Sequence, residues 1–194
     1  MSVLIQPWSK MRKSLEQEML CDSLKGRVQY FMTRYHGAPD HYGRFSIRVD
    51  GKEVFHANPY NEAYANSFTA KLREERGVPR RVWTVRGDFL YDEENAAIEN
   101  EAAAQMTLEN HVDMYQVYRA IEEYMKLNIQ KALYSDDFLV RLFAVLDRRV
   151  GKRTLVKLRE ELDALPDWLS FFYKLRMDAE GIAKATPHNS RLKP

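Results

Sequence analysis

The stretch LDRRVGKRTL, Leu146 to Leu155, sets Arg148, Arg149, Lys152 and Arg153 around Gly151 and beside Asp147. Clustered guanidinium and ammonium groups suit the phosphates of a nucleic acid or an acidic protein face. They equally suit a joint between two helices. Gly151 then supplies a left-handed residue that ends one helix, with Arg148 and Arg149 in its last turn against the carbonyl end of the dipole. Thr154 caps the next helix, and Asp147 pairs with a neighbouring arginine. No helix-turn-helix pattern accompanies the run, and the following LVKLREELDAL mixes acids with bases. The joint is therefore the stronger reading, with nucleic-acid binding by these four cations as the alternative.

A second group interleaves aromatic and basic residues: Tyr30, Arg34, Tyr35, His36, Tyr42, Arg44 and Arg48. On an open sheet face, aromatics stack on unpaired bases while arginines hold the backbone. A strand sends alternate residues to the core, so about half of these rings are expected to pack instead. Arg34, Arg44 and Arg48 join the basic candidates on this reading. The third group, HGAPDH, offers His36, Asp40 and His41 as nitrogen and oxygen donors, but a further strong ligand and an HExxH spacing are lacking. A loop turning at its proline accounts for it, and no metal is expected. Glu93, Glu94, Glu99 and Glu101 read as a solvated helix face rather than as paired acid and base. Without a P-loop, GxGxxG or GxSxG pattern, no catalytic residue is assigned and no cofactor is expected.

Composition limits the remaining classes. Hydrophobic residues make up 45% and charged residues 30% of the 194, as in a globular chain able to bury a core. Lys and Arg number 30 against 28 Asp and Glu, so bulk charge cannot hold nucleic acid and only a local basic face could. Cys21 is the single cysteine, which excludes an internal disulfide and suits a reducing compartment. MSVLIQPWSK lacks the cationic start of a signal peptide, and the apolar run LFAVL, 142–146, is far shorter than a membrane span. A cytoplasmic protein with no membrane partner is expected.

The elements that position these residues follow from period and punctuation. Ser9 can cap a helix from Lys10 to Cys21 with Met11, Leu15, Met19 and Leu20 on one stripe. Residues 27–36 suit a strand. Phe45, Ile47 and Val49 then alternate with polar residues up to Asp50-Gly51, a type I′ turn that folds residues 44–57 into a hairpin. Asn58-Pro59 opens a helix bearing Tyr60, Tyr64, Phe68 and Leu72 and ended by Gly77, and residues 81–85 suit one more strand. Asp92 caps an alanine-rich helix, Thr107 the next, and Ser135-Asp136-Asp137 the one carrying Leu139, Phe143 and Leu146. Further helices are expected over Thr154–Leu165 and from Pro166-Asp167 to Gly181. The fold class is α+β: an N-terminal helix with a small antiparallel sheet in 1–90, a mainly helical half in 91–184, and a disordered tail over 185–194. The two halves can equally form one domain.

Four blocks, WSKMRKSLEQEMLCDSLKGRVQY, DGKEVFHAN, LDRRVGKRTL and FYKLRMDAEG, resemble those of a family of small uncharacterised bacterial proteins of similar length. The resemblance implies a bacterial cytosolic protein and implies no mechanism. It also implies that Trp8, Gly26-Arg27 and the Arg148–Arg153 block belong to one shared design. With no catalytic constellation, the expected function is a non-catalytic protein-interaction or regulatory module whose partner is another protein. A nucleic-acid binder and an enzyme with a site near His36, Asp40 and His41 are the alternatives.

Overall fold

Pro7 leads directly into the first helix, which begins at Trp8 rather than after Ser9: the Pro7 carbonyl accepts from the Lys10 and Met11 amides. The computed structural model describes residues 7–34, 43–57, 62–81 and 92–182. The His36–His41 loop, the Asn58-Pro59 helix start, all but Arg81 of the strand expected over 81–85, and the tail 185–194 lie outside these residues.

Helix α1, Trp8–Lys13, widens into a π-helical segment over Ser14–Met19, closed by the Leu20 amide donating to the Leu15 carbonyl at 3.0 Å. The extra residue per turn breaks strict helical spacing, and Met11, Leu15 and Leu20 are all buried as a result. Strands β1 (Val28–Arg34), β2 (Gly43–Val49) and β3 (Lys52–Ala57) form an antiparallel sheet in the order β1-β2-β3. Asp50 and Gly51 join β2 to β3 with φ of 50° and 80°, the two positive values that a type I′ turn requires. The alternation sends Val28, Tyr30, Phe45, Ile47, Val49, Phe55 and Ala57 to the core face. Glu16 guards the edge of β1 by accepting from the Tyr30 amide at 2.8 Å.

The rest of the described chain is helical, so the fold is α+β as the sequence predicts. Helix α2 (Glu62–Arg76) ends at Gly77, whose φ is 65°, and packs against α3 (Glu93–Leu108), capped by Asp92. Helix α4 (Met114–Lys126) starts in a capping box between Asp113 and Gln116, and short α5 (Ile129–Leu133) follows. Helices α6 (Phe138–Val145), capped by Asp137, α7 (Lys152–Leu158) and α8 (Asp167–Ala179) complete the order. A 3₁₀ turn, Arg159–Ala164, links α7 to α8 and replaces the later part of the helix expected over Thr154–Leu165.

Beyond the start at Trp8, the caps differ from expectation in two further places. Thr107 lies within α3 and bonds back to the Ala103 carbonyl at 2.9 Å; the helix gives way at Asn110, with φ of 61°, and Asp113 starts α4. Helix α6 ends at Val145, so Arg148 and Arg149 stand beyond its last turn. Gly151 has φ of −79° and precedes α7 as its N-cap, so it supplies no left-handed stop and Thr154 caps nothing.

One buried cluster runs from Met11 to Met177 and joins the sheet to α4, α6 and α8. Phe143 of α6 meets Tyr30 at 5.9 Å and Phe45 at 6.4 Å, and Phe55 meets Trp168 at 5.4 Å and Phe172 at 6.3 Å. Ala65 of α2 and Ile98, Ala102 and Met106 of α3 are buried too, but outside this cluster.

Candidate functional site

The basic run lies where α6 has ended and the chain turns back towards α1. The Cys21 amide donates to the Leu146 carbonyl at 3.0 Å and the Arg148 amide to the Met19 carbonyl at 2.7 Å. Between these bonds Asp147 points inward and is 1% exposed. Its carboxylate accepts from the Tyr124 hydroxyl, from the Arg149 amide at 2.7 Å, and from Arg149 Nε and Nη2 at 2.9 and 2.6 Å. Burial, then the Asp147 charge, pushes the Tyr124 phenol up, which keeps it protonated as a donor. The hydrogen bond that Arg149 donates to Asp147 likewise pushes its guanidinium up. A carboxylate saturated by this many donors has no free lone pair for base catalysis.

A second network closes the same seam. Arg176 of α8 is 3% exposed, and its guanidinium donates to Ser23 Oγ at 3.2 Å, to the Val150 carbonyl at 3.1 Å and to the Glu180 carboxylate. Ser23 donates to Glu180 at 2.9 Å, and Lys152 Nζ donates to the Glu180 carbonyl at 2.9 Å. The Arg176 hydrogen bond holds the Glu180 carboxyl below the usual range. The seam thus draws on the blocks around Cys21, Asp147 and Arg176. Trp8 meets Phe45 edge-on at 5.9 Å, and Arg27 holds Asp50 through bonds of 2.9 and 2.8 Å, so the block starting at Trp8 and the hairpin turn are fastened to one another.

The basic candidates therefore divide. Arg149 and Lys152 are engaged within the seam, whereas Arg148 and Arg153 are exposed and have no ion pair among the described residues. On the outer face of β2, Arg44 pairs with Glu53, and Arg48 lies 4.5 Å from the Phe31 ring, which also faces Arg12 at 5.1 Å. Tyr30 belongs to the core. Arg34 ends β1 opposite Gly43, and its side chain lies outside the described atoms.

A hollow opens elsewhere. Helix α3 packs on α2 and α4 packs on α6, and where α3 parts from α4 a cleft of about 540 Å³ opens. Ala103, Ala104 and Leu108 of α3 face Phe138 and Leu139 of α6 across it. Arg119 and Glu123 of α4 and Asp136 and Asp137 before α6 supply its charge. Asp137 is engaged by the Leu139 amide at 2.8 Å, but Arg119, Glu123 and Asp136 have no ion pair among the described residues. Trp168 ties the α3 wall to α8 by donating to the Thr107 carbonyl at 3.0 Å. Neither Arg119 nor Glu123 stands out in sequence, and Asp136 and Asp137 read only as helix-starting residues; the hollow comes from the parting of two helices, which leaves no local pattern.

A family model spans residues 7–177, taking in the cleft and all of the seam except Glu180. The chain belongs to the SF0329 protein family. Neither a curated protein nor a solved structure matches it. Among the described residues no helix is long and apolar enough to cross a membrane. No group of three or more His, Cys, Asp or Glu among them could hold a metal ion.

Proposed function

We propose that this member of the SF0329 family is a non-catalytic interaction module whose partner is another protein, working in the cytoplasm, where Cys21 stays reduced. The observation that carries this is the cleft between α3 and α4–α6: an apolar floor, unpaired charges at its rim, and Leu108 left 41% exposed. The basic run adds support from the other side, because Arg149 and Lys152 are engaged internally. A photo-crosslinking residue placed at Leu108 is expected to capture one defined protein, and Ala104→Glu is expected to abolish the capture. Capture that persists in Ala104→Glu counts against the cleft as the contact surface.

Exposed Arg148 and Arg153 favour one second reading, contact with nucleic-acid phosphates. Fluorescence anisotropy with labelled single- and double-stranded DNA and RNA tests it at low and near-physiological salt. Each phosphate contact steepens the loss of affinity with salt, so the slope gives the number of cations engaged. Unchanged affinity after charge reversal at Arg148 and Arg153 excludes this reading.

A further inference from the structure

Glu16, Asp50, Glu99, Glu161 and Glu180 each have an arginine within the fold, whereas Glu93, Glu94, Glu122 and Asp163 on helix faces or turns have no ion pair among the described residues. Glu123 and Asp136 at the cleft have none among the described residues, although the whole chain carries a net charge of +2. With Asp137, three carboxylates face one guanidinium, Arg119, so the lining carries 1 − 3 = −2. Resting on the interaction reading above, we infer that the cleft takes a basic amphipathic segment of a partner protein, with apolar side chains on the floor and lysine or arginine against Glu123 and Asp136.

The floor and the rim act differently. Ala104 and Leu108 are one turn apart on α3 and both exposed, which gives a short apolar strip of the kind that receives a helix laid in a groove. The alanines at 103 and 104 keep that wall low, and Phe138 and Leu139 close the other side. About 540 Å³ holds several side chains, more than one anchor. Burial of apolar side chains supplies the affinity, and the rim chooses the sign of the partner. An acidic segment or a phosphate backbone would bring like charge to Glu123 and Asp136.

Two labelled helical peptides test this against the full chain by fluorescence anisotropy at near-physiological salt. Both carry leucine at helical spacing; one has lysine and the other glutamate at the remaining positions. The lysine peptide is expected to bind about tenfold more tightly than the glutamate peptide. The double variant Glu123→Lys/Asp136→Lys is expected to reverse that order, and Leu108→Glu to weaken both. Circular dichroism checks that each variant keeps its helix content, as exposed positions allow. Equal binding of the two peptides, or lysine-peptide binding that the double variant leaves unchanged, overturns the inference. A preference of the unaltered cleft for the glutamate peptide overturns it too, while leaving the protein-interaction reading in place. Binding of neither peptide also overturns it, and the crosslink at Leu108 then decides the interaction reading separately.

Discussion

Asp147 is a buried carboxylate whose neutraliser, Arg149, is itself partly exposed and lies two residues away. Arg149→Ala would leave Asp147 with only Tyr124 and a backbone amide. The expected cost is about 2 kcal/mol, below the ~3–5 kcal/mol of a fully buried pair because those donors remain. Arg148→Ala and Arg153→Ala, at exposed positions with no ion pair among the described residues, are expected to stay within about 0.5 kcal/mol. Urea denaturation of the three variants separates the roles, and equal costs would contradict the seam as the reason for Arg149. Glu180 gives a pH signature at the same scale. Its folded carboxyl lies below the usual value, chiefly through the Arg176 hydrogen bond, so its contribution is fully present above the unfolded value of about 4.3. That contribution is lost as pH falls through the lowered folded value. Glu180→Gln is therefore expected to lower the melting temperature at neutral pH, with the gap to the unaltered protein closing in acid. A gap that stays constant down to pH ~2 would mean that the carboxylate charge plays no part.

Among the elements, the start of β2 carries the tightest steric demand of the described glycines. A Cβ on Gly43 would strike the Thr33 carbonyl oxygen of β1 and approach Met114 Sδ to 2.8 Å. Gly43→Ala is expected to force β1 from β2 or displace the start of α4, at a cost of about 1–3 kcal/mol. Thermal melts would show it as a clear fall in midpoint, and an unchanged midpoint would mean that the strand pair opens freely there. Elements whose cause is local were legible in sequence. Asp50-Gly51 declares its turn because two adjacent residues must take positive φ, and Asp92 and Asp137 declare helix starts because their side chains cap amides two or three residues on. The π-helical segment was not legible, since its register answers to the burial of Leu15 and Leu20 against the rest of the core. The Asn110 break between α3 and α4 was missed for a related reason: the apolar spacing continues from Leu108 to Val112 across it. Asp113 and Gln116 at capping-box spacing were the local signal that could have located it.

At the scale of the whole molecule, a boundary near residue 91 leaves all the described strands on its N-terminal side but cuts through the packing. Tyr30, Phe45 and Phe55 of the sheet find their ring partners on Phe143, Trp168 and Phe172, far along the chain. The same distance explains why the seam was only half legible: Asp147 and Arg149 are neighbours in sequence, whereas Tyr124, Ser23, Arg176 and Glu180 reach them or each other only through the fold. A fragment ending at residue 90 would expose the core face of the sheet and is expected not to fold alone. The α2–α3 pair stands differently, with its own small set of buried residues outside the main cluster and a polar tie from Arg73 to Asn95 at 2.7 Å. Fewer buried apolar contacts mean a lower free energy of local opening. Native-state hydrogen exchange is therefore expected to show the amides of β2, α4 and α6 protected together to the level of global unfolding. Those of α2 and α3 should exchange earlier, as a unit of their own. Equal protection throughout would show that the pair is locked to the core more firmly than its packing accounts for. The α3 wall would then be rigid, and the cleft would bind its partner without adjustment. Earlier exchange gives the cleft one rigid side, α4 and α6, and one side that can move against a partner while Trp168 keeps its end tied to α8.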